Sequence, residues 1–433
     1  MWIDVVHLGR DDQAVHDRGA LTAAIGTVEI PKADGGTRPL GIPTVADRIA
    51  QEVARHFLEP CLEPVFHADS SGYRPGRSAV DAVRTARQRC WRSDWVLDID
   101  VRSYFDSIDW ELLLKAVRQH TDCPWVLLYI ERWLKAPEQM EDGSIVPRTA
   151  GTPQGGVISP LLANLFLHYA FDMWMTRTYP HIPFERYADD IICHCKSADE
   201  ARALWSALTD RFAACKLILH PEKTKIVYCK DANRRGDFPN QSFDFLGFTF
   251  RARKTVWQGH IYAHGFMPAA SPAALKAMSR TIRRWALHHR SDKALQDLAA
   301  MYNPCIRGWI NYYGQFYHTQ LRPTLTRIDA YVTRWARGFA INRKAPEIGL
   351  SGFAAPLQHS SLIGSYAMAT AEHREPCESR GSCTVLGARR GEIPPRDSTK
   401  TGSCAPCALG PLFLPKQTFA TTIGMSTEGH HGG

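Results

Sequence analysis

Phe184-Glu185-Arg186-Tyr187-Ala188-Asp189-Asp190-Ile191-Ile192 is the stretch on which the reading of the whole chain turns. Two adjacent carboxylates lie between aromatic and β-branched residues, the types that favour strands. The pattern predicts a hairpin with the acidic pair at its tight turn. Neighbouring carboxylates repel, and a divalent cation removes the repulsion by taking their oxygens as ligands. A solvated acidic turn carries the same local signature, so a third carboxylate in a similar setting is needed to decide.

That third carboxylate lies in Trp95-Val96-Leu97-Asp98-Ile99-Asp100-Val101-Arg102-Ser103-Tyr104-Phe105-Asp106. An apolar strand runs into Asp100, with Asp98 as the rival position. Two strands that each end in carboxylates can lie side by side and hold two metal ions, the arrangement used for in-line displacement at phosphorus. Here the sequence resembles the reverse transcriptases. Tyr187-Ala188-Asp189-Asp190 resembles their catalytic box, and Asp100 falls in the matching upstream box. The resemblance implies that Asp100, Asp189 and Asp190 are both catalytic and metal-binding, with two Mg²⁺ ions, or Mn²⁺ in their place. It favours Asp100 over Asp98, because the family places an aromatic residue five positions after its catalytic Asp, as Phe105 is here. It also makes Phe105 the steric gate that selects deoxynucleotides, whereas composition alone fits a core aromatic equally well.

Gly151-Thr152-Pro153-Gln154-Gly155-Gly156-Val157-Ile158-Ser159-Pro160 lies between the two carboxylate boxes. Its glycines allow close approach of a substrate. Pro160 suits a first helical turn and Ser159 its cap, and Gln154 is placed to touch the nucleotide or template. Upstream, Asp34-Gly35-Gly36 reads as a hairpin turn between strand-like segments, bringing Lys32 and Arg38 together. Spacing alone describes two solvated cations. The resemblance to the fingers of group II intron-encoded reverse transcriptases implies instead that they contact the incoming nucleotide. A helix is expected from Thr44 to Pro64, with Val45, Ile49, Val53 and Phe57 as its apolar stripe. The loop Gly72-Tyr73-Arg74-Pro75-Gly76-Arg77 resembles the second block of the same family, with Arg74 and Arg77 as candidate phosphate contacts.

After the acidic pair, Leu204, Leu208 and Phe212 mark an amphipathic helix. The stretch His220-Pro221-Glu222-Lys223-Thr224-Lys225 and the stretch Phe245-Leu246-Gly247-Phe248 resemble the last palm blocks. Between Leu275 and Lys344 thirteen Lys or Arg face three acids. Two helical stripes, Leu275/Met278/Ile282/Trp285 and Ile328/Tyr331/Val332/Trp335/Phe339, leave basic outer faces. Basic residues interleaved with aromatics suit a structured nucleic acid. The segment resembles the thumb and maturase domain of group II intron proteins. Arg280, Arg283, Arg284 and Arg307 are its candidate phosphate contacts, and Trp309 and Tyr312 its candidate base platforms.

The 433 residues carry a formal net charge of +8, which suits an anionic partner. No apolar run approaches the roughly 18 residues of a membrane span, and the first ten residues lack a secretory pattern. A cytoplasmic protein with reduced cysteines, including Cys193, Cys195 and Cys215, is expected. In the tail only Cys404 and Cys407 have common zinc-ligand spacing. Cys377 and Cys383 do not, and the composition favours a flexible segment.

The expected architecture is α+β: a right-hand polymerase with fingers and an antiparallel palm sheet, followed by an α-helical thumb/maturase domain. Its segments are an atypical short N-terminal stretch (1–26), fingers and palm (27–265), thumb (270–345) and tail (346–433). The resemblance implies an RNA-directed DNA polymerase acting in intron mobility and splicing. Its partners would be group II intron RNA, an RNA template with a DNA primer, and deoxynucleoside triphosphates. An RNA-binding maturase without polymerase activity and a reverse transcriptase that is no maturase are the alternatives.

Overall fold

The computed structural model describes residues 24–31, 36–257, 260–290 and 292–342, all within one compact unit, Met1–Cys383. Lys32 and the tail cysteines Cys377, Cys383, Cys404 and Cys407 lie outside the described residues. The first half of the chain forms β1 (Ile25–Pro31), β2 (Thr37–Ile42), α1 (Val45–Leu62), α2 (Ala79–Arg92), β3 (Trp95–Ile99), α3 (Tyr104–Ser107), α4 (Trp110–Val117), α5 (Pro124–Lys135), β4 (Glu138–Gln139) and β5 (Ile145–Val146). Then come α6 (Ser159–Leu167), α7 (Met173–Thr178), β6 (Phe184–Tyr187), β7 (Asp190–Cys195), α8 (Ala198–Ala214), β8 (Lys225–Tyr228), β9 (Ser242–Phe245), β10 (Phe248–Trp257), β11 (His260–Ala270), α9 (Pro272–Arg284), α10 (Leu295–Tyr313) and α11 (Arg322–Asn342). β11 therefore runs past residue 265, and the first helix after the sheets begins at Pro272.

Local signals start several helices. Thr44, Ser78, Ser197 and Ser271 each accept a backbone N–H three residues on. Asp47, Asp81 and Glu200 stand at the third of those positions, the pattern of a capping box.

A four-stranded sheet in the order β6-β7-β3-β8 forms the palm, with every pairing antiparallel. Leu97 and Ile99 of β3 pack with Leu204, Leu208 and Phe212 of α8 in one core. Val96 joins Ile192 of β7, Val227 of β8 and Ala82, Val83 and Ala86 of α2 in another. Side chains alternate along a strand, so Asp98 and Asp100 share the Val96 face. Arg89 of α2 reaches across to β6, with its two terminal nitrogens on Glu185 Oε1 at 2.7 Å and the Asp69 carboxylate at 2.9 Å. The buried His194 ring meets the other Glu185 oxygen.

The fingers hairpin is present: β1 and β2 pair antiparallel with Ile30 opposite Arg38. β1 also pairs in parallel with β4. The expected stripe on α1 faces the wrong way. Val45 and Ile49 are 72% and 56% exposed, and Phe57 is exposed too. The buried face is Gln51, Ala54, Leu58 and Leu62. Gln51 holds a core position because its side-chain oxygen accepts the Val157 N–H at 2.7 Å. A polar residue thus replaces an apolar one on the inner face, where burial demands a partner, and the apolar period marks the wrong side.

The C-terminal helices α9, α10 and α11 share a core of Ile282, Leu298, Tyr302, Ile306, Ile328, Val332 and Trp335. α10 accommodates Pro304 within its length. The Phe339 side chain lies outside the described side chains.

Candidate active site

The acidic pair stands where the strand pattern placed it. Tyr187 and Asp190 face each other across the ladder of β6 and β7, leaving Ala188 and Asp189 as a two-residue turn. Such turns require positive φ, and Ala188 has φ +58°. A left-handed alanine costs about 1–2 kcal/mol, so neighbouring groups must hold it. Ile99 is opposite Ile191 in the adjacent ladder, which brings Asp100 level with Asp190.

Asp100 follows the end of β3 and is braced by the loop before β8. Its carbonyl accepts from His220 N at 2.8 Å, and its N–H donates to Thr224 Oγ1 at 3.3 Å. Lys223 Nζ lies 3.3 Å from Asp100 Oδ2, and Lys225 Nζ 3.6 Å from Asp98 Oδ2. Both lysines face the acidic cluster. Burial pushes the Asp98 carboxyl up to about 7, with Asp190 and Asp100 adding to the rise and Lys225 opposing it. A hard divalent cation relieves repulsion among neighbouring carboxylates, and the donors here are carboxylate oxygens, the ligands such ions take. As placed, no three His, Cys, Asp or Glu side chains among the described residues stand close enough to hold an ion. Lys223 places a positive charge beside Asp100. By the chemistry of its donor set the cluster fits the ion.

Phe105 sits on the short α3, where Ser103 at φ +46° turns the chain after β3. Its ring is half-buried and stands edge-on to Tyr104, centroids 5.7 Å apart. The glycine-rich loop is built against it. Thr152 N donates to Phe105 O and Gly151 N to Ile108 O, each at 2.7 Å. A Cβ at Gly151 would stand 2.7 Å from the Asp106 backbone, and one at Gly155 2.4 Å from Gly41 O. Gln154 accepts from Gly41 N at 2.9 Å through its carbonyl, and its side-chain amide donates to the Asp106 carboxylate at 3.2 Å. Phe105, Asp106, Gln154 and the fingers strand β2 thus come together. The backbone of Arg38 is on that strand, while its side chain lies outside the described ones. Ser159 is not the cap expected of it. Ile158 takes that position, and the Thr152 hydroxyl donates to Ser159 Oγ at 2.9 Å.

Arg74 is corrected outright. It is 5% exposed, donates to the Glu63 carboxylate and to the carbonyls of His67 and Ser70, and lies over the Phe66 ring. A guanidinium so enclosed has no face for a phosphate. Arg77 remains exposed.

The base-platform role of Trp309 and Tyr312 is also corrected. Trp309 stacks on Trp285 with centroids 5.6 Å apart and rings 13° from parallel. Tyr312 donates to Leu246 O at 2.8 Å and packs beside Phe248. Burial pushes its hydroxyl pKa up, with Tyr313, Tyr187 and Asp190 adding to the rise. These rings fasten the helices together and to the palm. Arg280, Arg283, Arg284 and Arg307 are exposed, as a phosphate-facing surface requires.

Sequence reasoning missed the groups beneath the acidic turn. Arg186, 0% exposed, sends Nε and Nη2 to the two oxygens of Asp172 at 2.7 and 2.6 Å. Its Nη1 donates to Asn164 Oδ1 at 3.0 Å and to Ala188 O at 3.1 Å. Asn164 in turn donates to Gly72 O at 2.5 Å.

A family model described as "Reverse transcriptase (RNA-dependent DNA polymerase)" matches residues 30–250. A second, "Group II intron, maturase-specific domain", matches residues 275–338. The chain is similar to Protein YkfC of Escherichia coli, 32% identical over 245 residues, covering 47% of this chain and 63% of that protein. It is also similar to the group II intron-encoded protein LtrA of Lactococcus lactis, 39% identical over 131 residues, 30% of this chain and 22% of that one. A putative COX1/OXI3 intron 2 protein of Saccharomyces cerevisiae is 24% identical over 241 residues, 56% of this chain and 27% of the relative. The chain thus spans less than two thirds of the length of each of these relatives.

Proposed function

The chain belongs to the reverse transcriptase family, in the form that carries a group II intron maturase-specific domain, and from that premise we propose that it copies RNA into DNA and binds a group II intron RNA. The observation that carries the reading is the strand register that sets Asp100 level with Asp190 on neighbouring palm strands, with Phe105 and the Gln154 loop following Asp100 in the chain and packed on each other. Asp100, Asp189 and Asp190 would hold divalent ions, Mg²⁺ by its preference for carboxylate oxygen; bound there, such ions supply the charge that acidifies a primer 3′-hydroxyl and stabilises the departing pyrophosphate. Phe105 bounds the deoxyribose, Gln154 orients the nucleotide or template, and Lys32 and Arg38 grip the triphosphate. Arg77 meets the backbone of the template or primer. An RNA-templated primer-extension assay tests the reading. Metal-dependent extension with deoxynucleotides is expected, and none with either Mg²⁺ or Mn²⁺ rejects it.

Phe105→Ala is expected to weaken discrimination against ribonucleotides about 10- to 100-fold, the scale for altering a substrate pocket by a side chain. The ring stands at the turn after the Asp100 strand, so its loss opens space beside the sugar. Single-nucleotide incorporation with paired ribo- and deoxyribonucleotides measures it; an unchanged ratio refutes the gate.

The maturase half rests on the basic outer face of the thumb. Arg280, Arg283 and Arg284 project from α9 while Met278 and Ile282 hold its inner side. Each phosphate neutralised releases counterions, so three lost contacts flatten the log–log salt slope by about 2–3. The triple change to Ala is therefore expected to weaken intron RNA binding and flatten that slope, while extension on a pre-annealed RNA–DNA hybrid at saturating protein persists. An unchanged slope in a salt titration assigns RNA binding elsewhere.

A further inference from the structure

The acidic turn is strained and enclosed at once. Ala188 adopts a left-handed backbone, and strained residues of this kind persist only where their surroundings over-determine them. Three separate elements do so here. From below, Arg186 donates to the Ala188 carbonyl. From one side, Gly72 lies so close that a Cβ there would stand 2.2 Å from Ala188 N. The loop carrying Gly72 is itself paired to β6, with Ser71 N donating to Arg186 O at 2.8 Å and Arg186 N to Asp69 O at 2.9 Å. From the helical layer, Asn164 of α6 joins the two, accepting from Arg186 and donating to Gly72 O.

The anchor of this assembly is Asp172. It ends a π-helical turn, His168–Asp172, set between α6 and α7. Such turns are rare and recur at functional sites. Both Asp172 and Arg186 have fully buried side chains. Burial alone would raise the Asp172 pKa, yet the charge and hydrogen bonds of Arg186 hold it below the ordinary carboxylate value. The pair is bidentate and fully buried. Burying such a pair gives little net stability compared with apolar side chains of similar volume. Stability alone does not account for its place directly under the turn that carries Asp189.

We infer that Arg186, anchored by Asp172 and linked through Asn164 to Gly72, is a positioning residue that holds the Ala188–Asp189 turn in the conformation in which Asp189 and Asp190 bind a divalent cation. The inference rests on the polymerase reading for its use, but its direct consequence is metal affinity. Arg186 touches no reacting group; it fixes the backbone from which two ligands project. Partners of this kind change metal affinity about 10- to 100-fold when removed.

The test is Mn²⁺ binding to the full chain, followed by electron paramagnetic resonance, with Asp189→Asn as the baseline for a broken site. Arg186→Lys keeps a positive charge beside Asp172 but loses the fork that reaches Ala188 and Asn164. The double variant Arg186→Met/Asp172→Leu removes the fork and leaves an apolar pair of similar bulk. Far-UV circular dichroism and intron RNA affinity, which reads the basic face of α9, certify the fold of each. Mn²⁺ affinity is expected to fall at least about tenfold in both, toward the Asp189→Asn value. Affinity within twofold of wild type in either folded variant overturns the inference, as does wild-type binding no tighter than that of Asp189→Asn. Primer extension is measured in parallel on the wild type. Mn²⁺ binding without extension would reject the polymerase reading alone and leave the role of Arg186 to be judged by the affinities.

Discussion

Asp189→Asn is expected to reduce primer extension on an RNA template about 10²- to 10³-fold, the scale for removing a group that stabilises transition-state charge, while RNA affinity stays at its wild-type value. The change is isosteric and keeps a side chain that can still accept a hydrogen bond. It removes one negative charge from a cluster whose neighbours already crowd one another. Asp98, on the same face as Asp100, has its carboxyl pushed up to about 7, by burial first and with Asp190 and Asp100 adding. A neutral amide of the same shape at position 189 adds no charge to that crowd, so the fold is expected to persist. What is lost is a ligand. An amide oxygen carries no net charge, and a hard cation held by carboxylates is held largely by theirs.

The measurement is single-nucleotide incorporation on a pre-annealed RNA–DNA hybrid across a range of Mg²⁺ concentrations. The basic face of α9 lies on a different element from the acidic turn, so RNA affinity serves as an internal control. Extension within tenfold of wild type would remove Asp189 from the reaction. Loss of RNA affinity together with extension would mean that the substitution had damaged the fold.

The parts of this site that were legible in the sequence are those set by local pattern. The hairpin at Tyr187–Asp190 follows from strand formers on both sides of a two-residue turn, and Leu204, Leu208 and Phe212 reach zero exposure as their helical spacing requires. The illegible parts depend on partners distant in sequence. Arg74 reads as a free cation until Glu63 and two carbonyls are seen to enclose it. The Arg186 network draws on Gly72, Asn164 and Asp172, and no period connects those positions. The stripe on α1 fails for a related reason. Gln51 is polar but buried, because a backbone N–H from the glycine-rich loop needs its oxygen, and hydropathy has no means of anticipating that exchange.

The largest stability effect is expected at Asp172. Asp172→Ala leaves the Arg186 guanidinium at zero exposure with two of its donors facing a void. Removing one partner of a buried ion pair costs about 3–5 kcal/mol, because the surviving charge remains desolvated. Asn164 Oδ1 and Ala188 O still accept from Nη1, but they are neutral and do not compensate the charge. Replacing both members by apolar residues of similar bulk removes the desolvated charge as well, so the double variant Arg186→Met/Asp172→Leu should recover most of what the single change loses. The two positions are in direct contact, so their effects should be strongly non-additive. Urea denaturation, read by tryptophan fluorescence, compares wild type, each single variant and the double. A double variant as unstable as Asp172→Ala would show that the loss comes from the site failing to repack. Recovery in the double would assign it to the stranded charge, and the same variant would then provide a folded protein in which the acidic turn has lost its support from below.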